Sequence, residues 1–216
     1  MNHDIALKKS VLDELAWEPR VDAAHLGVTA QDGVVCLMGY VDDFGQKHAA
    51  EIAAGRVKGV KAVVEEIEVR LPADHLWNDD EIAKRAVDRL AWHDVDPGYD
   101  VHIKVEKGWM TLSGHVTWHF QKEAAEADVR HVLGVVGLDN QILIKPKVSV
   151  SNVSDDITHA LHRSWFFDPT SITLSVDAGA VRLDGTVHSP HERQVAAATA
   201  WASPGVTAVE NNLSII

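Results

Sequence analysis

Thirteen histidines offer this sequence its most direct chemistry, because imidazole binds metal ions and titrates near neutral pH. Three pairs have a spacing of three or four residues: His115 with His119, His159 with His162, and His188 with His191. Such a spacing places two ligands on one helix face, but only the second pair falls in a predicted helix. The chain contains a threefold internal repeat, described below, and no histidine position recurs in all three copies. Multiple cysteine ligands are also absent. We therefore expect no metal site and no cofactor.

Nucleophilic and nucleotide chemistry lack a motif as well. The single cysteine, Cys36, lies in a predicted strand, and its repeat equivalents are Thr111 and Arg182. Neither a Gly-x-Ser-x-Gly elbow nor a phosphate-binding glycine loop is present. Paired acids precede helical segments, where carboxylates act as caps, at Asp42 and Asp43, Asp79 and Asp80, and Asp155 and Asp156. We expect a protein that is not an enzyme.

The charge of the chain excludes a nucleic-acid partner. Its 216 residues carry 20 Lys and Arg against 32 Asp and Glu, a formal net charge of −12. A cationic surface for phosphate contacts is missing, and simple attraction to anionic lipid is disfavoured for the same reason. If every histidine titrated near its ordinary pKa of about 6.5, mild acid would bring the charge to about +1, so a pH response is a further hypothesis.

Hydropathy gives an expectation about location. No stretch reaches the roughly 18 to 20 apolar residues of a membrane-spanning helix. The first residues run directly into an amphipathic helical pattern without the apolar segment of a secretory signal. We therefore expect a cytoplasmic protein.

The elements that must position these residues form a threefold repeat. One nine-residue motif, Gly-x-(Val/Met)-x-Leu-x-Gly-x-Val, starts at Gly33, recurs 75 residues later at Gly108 and again 71 residues later at Gly179. Around each copy the hydrophobic period changes from helical to alternating, back to helical and then to alternating. The sequence therefore predicts three α-β-β-α-β modules, at 4–72, 79–146 and 154–216.

Glycines mark the turns of each module. The pairs Asp32-Gly33, Lys107-Gly108 and Ala178-Gly179 stand between two alternating runs, as in a β-hairpin. A Gly-Val pair then follows each second helix, where the backbone beyond the helix end becomes left-handed. We assign structural roles to nine glycines: Gly33, Gly39, Gly59, Gly108, Gly114, Gly134, Gly179, Gly185 and Gly205.

This pattern resembles the BON domain, named for bacterial osmotic-stress and nodulation proteins. The likeness rests on the glycine motif, the alanine-rich helix after it and the closing Gly-Val-x-x-Val strand, and it covers nearly the whole chain. The resemblance implies an α+β unit with two helices on one face of a small mixed three-stranded sheet. It also implies a binding or tethering role, with phospholipid as the commonly suggested ligand, rather than catalysis.

Strand alternation predicts which sheet face is covered. Val35 and Leu37 stay apolar in all three copies, so the helices should lie over their face. The opposite face carries Val34, Met38 and Trp109, which we interpret first as a contact between copies and second as a ligand surface.

One loop stands out for its aromatic residues. Trp118, His119 and Phe120 occupy the start of the second helix of module 2, where the other copies carry a capping Asp or Ser. Losing such a cap costs typically about 1 kcal/mol, so another contact should compensate. Packing against a neighbouring module is the first interpretation, and insertion into a membrane or a partner is the second. Together with Trp109, these three residues are the candidate ligand or partner surface.

The sequence supports three functional hypotheses. The first is a non-enzymatic stress-response protein that contacts a phospholipid surface or a protein partner through its modules. The second is a chaperone-like protein that holds unfolded clients on apolar sheet surface. The third is a metal- or cation-responsive sensor that uses the histidines. The ligand, the oligomeric state and the packing of the modules stay open.

Overall fold

The computed structural model describes residues 2–72, 77–91, 99–145, 153–163, 171–188 and 190–215. The helices are α1 (Asn2–Trp17), α2 (Phe44–Arg56), α3 (Asp79–Leu90), α4 (His119–Arg130), α5 (Val153–Arg163) and α6 (Pro190–Trp201). The strands are β1 (Leu26–Gln31), β2 (Val34–Val41), β3 (Ala62–Val69), β4 (Asp100–Glu106), β5 (Trp109–Val116), β6 (Gly137–Asn140), β7 (Leu143–Ile144), β8 (Ile172–Asp177), β9 (Ala180–Val187) and β10 (Ala208–Ile215).

The element order confirms three tandem α-β-β-α-β modules. In module 1 the central strand β2 pairs antiparallel with β1 and parallel with β3. Module 3 repeats this arrangement with β9 between β8 and β10. In module 2 the predicted closing strand is divided into β6 and β7, and β7 pairs parallel with β5. The fold class is α+β with small mixed sheets, as predicted.

The chain divides into two compact units. Unit 1 comprises residues 1–90, 103–111 and 127–139, and unit 2 comprises residues 91–102, 112–126 and 140–216. Module 1 lies entirely in unit 1 and module 3 entirely in unit 2, whereas module 2 contributes to both.

The core of each module lies between one sheet face and two helices, as the strand alternation predicts. In module 1, Val35 and Leu37 of β2 are fully buried with Val11 and Leu15 of α1. Complete burial of such an aliphatic side chain contributes about 1.5 to 3 kcal/mol. The equivalent buried side chains of the other central strands are Met110, Leu112 and Val116 in module 2, and Val181, Leu183 and Val187 in module 3.

The opposite sheet face is open where we expected contacts between copies. Val34, Met38 and Trp109 are all exposed. Trp17, the aromatic residue that closes the apolar pattern of α1, is 84% exposed, and its repeat equivalents Trp92 and Phe167 lie outside the described residues. Helices α4 and α6 instead make one contact between modules, through the rings of His119 and Trp201.

A basic side chain on the second helix of each module is bonded to the closing segment of its sheet. A second hydrogen bond also recurs in the three closing segments. The side chain of Glu65, Asn140 or Asn211 accepts from the backbone N–H of the residue two positions later. The three bonds from the basic side chains are Lys47 Nζ to Ile67 O (2.8 Å), Lys122 Nζ to Ile142 O (2.8 Å) and Arg193 Nη2 to Asn211 O (3.0 Å). These charge-assisted bonds hold helix to sheet, and sequence analysis missed them.

The hairpin turns have two successive residues with positive φ, the geometry of a type I′ turn. Gly33 adopts a φ of 87°, and the preceding Asp32 adopts 51°. Lys107 and Ala178 take the same conformation, with φ of 53° and 46°. Asp tolerates a positive φ, whereas this conformation is sterically costly at Lys107 and Ala178, where the pairing of the flanking strands must offset the cost.

A second glycine of the motif lies inside each central strand. Gly39 has a φ of 121°, and a Cβ at this position would overlap with the carbonyl oxygen of His25. Gly114 and Gly185 have the same conformation, and their Cβ atoms would overlap with the carbonyl oxygens of Asp100 and Ser171. Only glycine allows the preceding chain to approach this closely.

We expect Gly39→Ala to lower the free energy of unfolding by at least about 2 kcal/mol, because the new Cβ meets both the unfavourable φ and a backbone carbonyl. Urea denaturation followed by circular dichroism measures the change. The matched control is Gly55→Ala in α2, where a Cβ has no neighbouring atom within 4 Å. Alanine favours a helix by about 0.5 to 1 kcal/mol over glycine, so this control should be stabilised. Equal loss of stability in both variants would contradict the steric argument.

Candidate functional site

An aromatic groove lies in unit 2, between the start of α4 and the outer face of α6. Its volume is about 550 Å³. Trp118, His119 and Phe120 approach from α4, and Trp201 faces them from α6. Phe120 is 63% exposed, whereas Trp118 and Trp201 are half-buried. The remaining lining residues are Glu123, Gln194, Ala197, Ala198 and Ala202. We call this surface the aromatic groove.

A stacked ring pair connects the two helices of the groove. The His119 imidazole lies parallel to the Trp201 indole, with 3.9 Å between the ring centroids and 10° between the planes. The His119 side chain is only 18% exposed, and its Nδ1 atom lies 3.5 Å from Glu123 Oε2. This contact joins module 2 to module 3. The sequence analysis expected residues 118–120 to pack against a neighbouring module, and His119 does so.

Burial sets the protonation of His119. Desolvation is the largest effect and lowers the pKa of His119 below its ordinary 6.5, and the nearby Lys122 lowers it further. The carboxylate of Glu123 acts in the opposite direction without reversing the shift. The imidazole is therefore neutral at pH 7, and the stack with Trp201 is a contact between two uncharged rings.

The start of α4 retains half of a helix cap. In α2 the Asp43 carboxylate accepts from the N–H of Gln46 at 2.9 Å, which is the ordinary cap. Trp118 cannot accept such a bond. The Gln121 side chain instead accepts from the backbone N–H of Trp118 at 2.9 Å and from that of Thr117 at 3.0 Å. The aromatic residue thus replaces the forward cap, and the reverse half of the capping box remains.

The predicted surface residues do not all meet. Trp118, His119 and Phe120 line one groove, whereas Trp109 lies on β5 with its indole over Gly137 and does not line it. Sequence analysis missed Trp201, because its repeat equivalents, Gly55 and Arg130, show no recurring aromatic. The available signal was one indole in an otherwise alanine-rich helix.

Unit 1 contains the equivalent junction with different chemistry. There the start of α2 faces the end of α4 around a smaller pocket of about 270 Å³. Gly45 stands where module 2 has Phe120, and a Cβ on it would lie 2.7 Å from His131 Nδ1. The pocket is lined by Arg20, Asp43, Gly45, Gln46, His48, Ala49, Arg130 and His131. One helix-to-helix arrangement thus carries aromatic residues in unit 2 and mainly basic ones in unit 1.

A larger groove of about 720 Å³ lies between α5 and α6. Asp156, His159 and Arg163 line one side, and Ser203 lines the other. The Ser203 hydroxyl is buried without a hydrogen-bond partner among the described residues. None of the predicted surface residues lies in this groove, so size alone does not make it the better candidate.

Neither the histidines nor the cysteine form a reactive centre in the described part of the chain. His115 Nδ1 lies 3.2 Å from Asp100 on β4, whereas His119 stacks on Trp201, so this sequence pair does not share a site. No group of three or more His, Cys, Asp or Glu side chains in these ranges could hold a metal ion. The side chains of His162 and His191 lie outside the described residues.

The Cys36 thiol lies on the open face of β2 and is half-buried. Burial raises its pKa, and the carboxylate of Glu66 raises it further. Because the thiolate is the reactive form, Cys36 is poorly suited to nucleophilic chemistry.

Within the described residues, the helices are too short or too polar to cross a bilayer.

Comparison with known proteins identifies the repeat. The family model of the BON domain matches three times, at residues 3–70, 78–146 and 149–216. No curated protein matches the chain. A structure of the C-terminal domain of CdsD, a structural protein of the type III secretion system of Chlamydia trachomatis, is 18% identical over 98% of both chains, with a TM-score of 0.27. A second CdsD structure is also 18% identical, covering 98% of this chain and 92% of its own, with the same TM-score.

Acidification is expected to weaken the His119 stack. Because the pKa of His119 in the fold lies below 6.5, its contribution to stability is complete above that pH. It is lost as the pH falls from 6.5 through the lowered pKa, since the unfolded chain binds the proton more readily. His119→Phe keeps an aromatic ring but cannot titrate. Urea denaturation from pH 7.5 to pH 5 measures the free energy of unfolding of both proteins. As the pH falls, the wild type should lose stability relative to His119→Phe.

A difference between wild type and His119→Phe that stays constant over this pH range would contradict the assignment of His119 as the titrating contact.

Proposed function

This chain belongs to the BON domain family, in three copies, and from that premise we propose that it is a non-enzymatic tethering protein that contacts a phospholipid surface through the aromatic groove. A role in the bacterial stress response is part of this proposal, and the name of the family supports it. The family in general is not catalytic. The features that recur in all three modules here are buried aliphatic residues, glycines and helix-to-sheet bonds, which build a scaffold.

The exposed Phe120 ring is the observation that carries the proposal. It lies beside Trp118 at the start of α4, so two aromatic side chains share one edge of the groove. A Trp side chain such as Trp118 favours the boundary between the apolar and polar layers of a membrane, and complete burial of a Phe side chain contributes about 1.5 to 3 kcal/mol. A single inserted ring of this kind supports weak attachment, which several contacts can reinforce.

The charge indicates what kind of lipid contact this is. Modules 1 and 2 each have 8 basic and 12 acidic residues, and module 3 has 3 and 7, so each carries −4. Electrostatic attraction to an anionic surface therefore cannot supply the affinity. The contact that we propose is an apolar one, and it should depend little on salt concentration.

A second function is favoured by the open sheet face of module 1. Val34, Met38 and Val64 are exposed on this face, around the half-buried Cys36. Clustered exposed apolar side chains, here beside the Thr29 hydroxyl and the Glu66 carboxylate, suit binding of unfolded chains. Slower aggregation of a denatured client in the absence of lipid, reduced by Met38→Lys, would support this chaperone-like function instead.

Vesicle flotation tests the tethering proposal. We expect the full chain to float with zwitterionic phospholipid vesicles at pH 7.5, and we expect Phe120→Ala to reduce the bound fraction several-fold, because the inserting ring is removed. The matched control is Leu143→Ala, since Leu143 is 62% exposed in the same module but does not line the groove. Control and wild type should float equally.

Two results would reject the proposal. One is an absence of flotation with every vesicle composition. The other is an equal loss of binding in Phe120→Ala and Leu143→Ala, which would show that general surface hydrophobicity acts rather than the groove. Retention of a protein partner by wild type but not by Phe120→Ala, without any flotation, would assign the groove to a protein.

A further inference from the structure

We propose that the aromatic groove is a cage for a quaternary ammonium group, and that its ligand is the choline headgroup of a phospholipid. This inference deepens the proposed function, on which it rests, by naming the chemistry that the groove recognises.

The first argument is the number of aromatic faces. Trp118, Phe120 and Trp201 line one groove from two helices, and the His119 ring stacked on Trp201 adds a fourth aromatic ring. The negative face of an aromatic ring attracts a cation, and quaternary ammonium groups are bound in proteins by clusters of such rings. An ammonium with methyl groups needs no hydrogen-bond acceptor, so an apolar lining suits it better than it suits a lysine.

The second argument is the charge at the edge of the groove. Glu123 lines the groove and is 69% exposed, so its carboxylate faces both solvent and any bound cation. Gln194 on the opposite helix is uncharged, and His119 is neutral at pH 7 because burial lowers its pKa. The nearby Lys122 does not line the groove, and its Nζ is bonded to the carbonyl of Ile142. The acidic lining, in a chain of net charge −12, favours a cationic ligand.

The third argument is space. The floor of the groove on α6 consists of the small residues Ala197, Ala198 and Ala202. In module 2 the equivalents of the first and last are Glu126 and His131, so larger polar side chains occupy the same helix face there. A volume of about 550 Å³ falls in the range of about 300 to 1,000 Å³ that is typical of small-molecule sites.

The equivalent junction in unit 1 serves as an internal comparison. It has Arg130 in place of Trp201 and Gly45 in place of Phe120, and Arg20 also lines it. The Arg20 guanidinium is ion-paired with Glu18 at 2.8 Å. The same helix arrangement therefore carries an aromatic cluster in unit 2 and none in unit 1.

Titration of the full chain with choline chloride, followed by tryptophan fluorescence, tests the cage. Ethanolamine hydrochloride is the comparison ligand, since it carries a cation without methyl groups. We expect choline to bind at least about tenfold more tightly than ethanolamine. Phe120→Ala and Glu123→Gln should each weaken choline binding by about three- to tenfold. The control for the carboxylate is Glu106→Gln, because Glu106 is 70% exposed in the same module and lies outside the groove.

Vesicles distinguish the headgroup from a free solute. We expect flotation with phosphatidylcholine to exceed flotation with phosphatidylethanolamine or phosphatidylglycerol several-fold, and free choline to compete. Choline binding that requires Phe120 without any flotation would support the cage and reject the membrane tether. Flotation that requires Phe120 but is equal for all headgroups, without choline binding, would overturn the cage and leave the tether intact.

Discussion

The central strand of each sheet is hydrogen-bonded on both edges and has one face covered by two helices, and the rest of each module depends on this burial. Val35 and Leu37 must point toward α1 and α2, which fixes the register of β2 against both neighbours. A shift by one residue would turn these side chains to solvent and bring Val34 and Cys36 inside. Gly39 lies in the same strand, and this register is the one that places it against the carbonyl of His25. The hairpin turn and the Lys47 bond to β3 then connect elements whose positions are already set.

Sequence reasoning predicted most of this fold, because its main signals are periodic and occur three times. The alternation of Val35 and Leu37 identified the buried face, and the Gly-x-(Val/Met)-x-Leu-x-Gly motif located the central strands. The bonds from Lys47 and Lys122 escaped, since the basic residue that recurs at these positions, Arg193 in module 3, does not by itself reveal that its partner is a backbone carbonyl. The division of the closing strand of module 2 escaped as well, because no proline or glycine between Asp139 and Ile144 marks the break.

The candidate site was only half predictable. Trp118, His119 and Phe120 are adjacent in sequence and replace a helix cap, so a local comparison of repeats singles them out. Trp201 lies more than 80 residues farther along the chain, and only the packing of α6 beside α4 brings it to His119. The spacing of the histidines was misleading in this respect, because His115 points to Asp100 on the neighbouring strand. Contacts between modules depend on helix packing, and the repeat pattern contains no information about it.

The buried side chains form separate clusters, and this separation has a thermodynamic consequence. One cluster contains residues of module 1 alone, and another contains residues of module 3 alone. The two clusters share no side chain, so unfolding of one module leaves the apolar contacts within the other cluster unchanged. Cooperative unfolding of the full chain must then come from contacts between modules. The stacked rings of His119 and Trp201 are one such contact, and they bury little surface. We therefore expect a melting curve of this chain to be the sum of partly independent transitions, for which one midpoint does not define the stability.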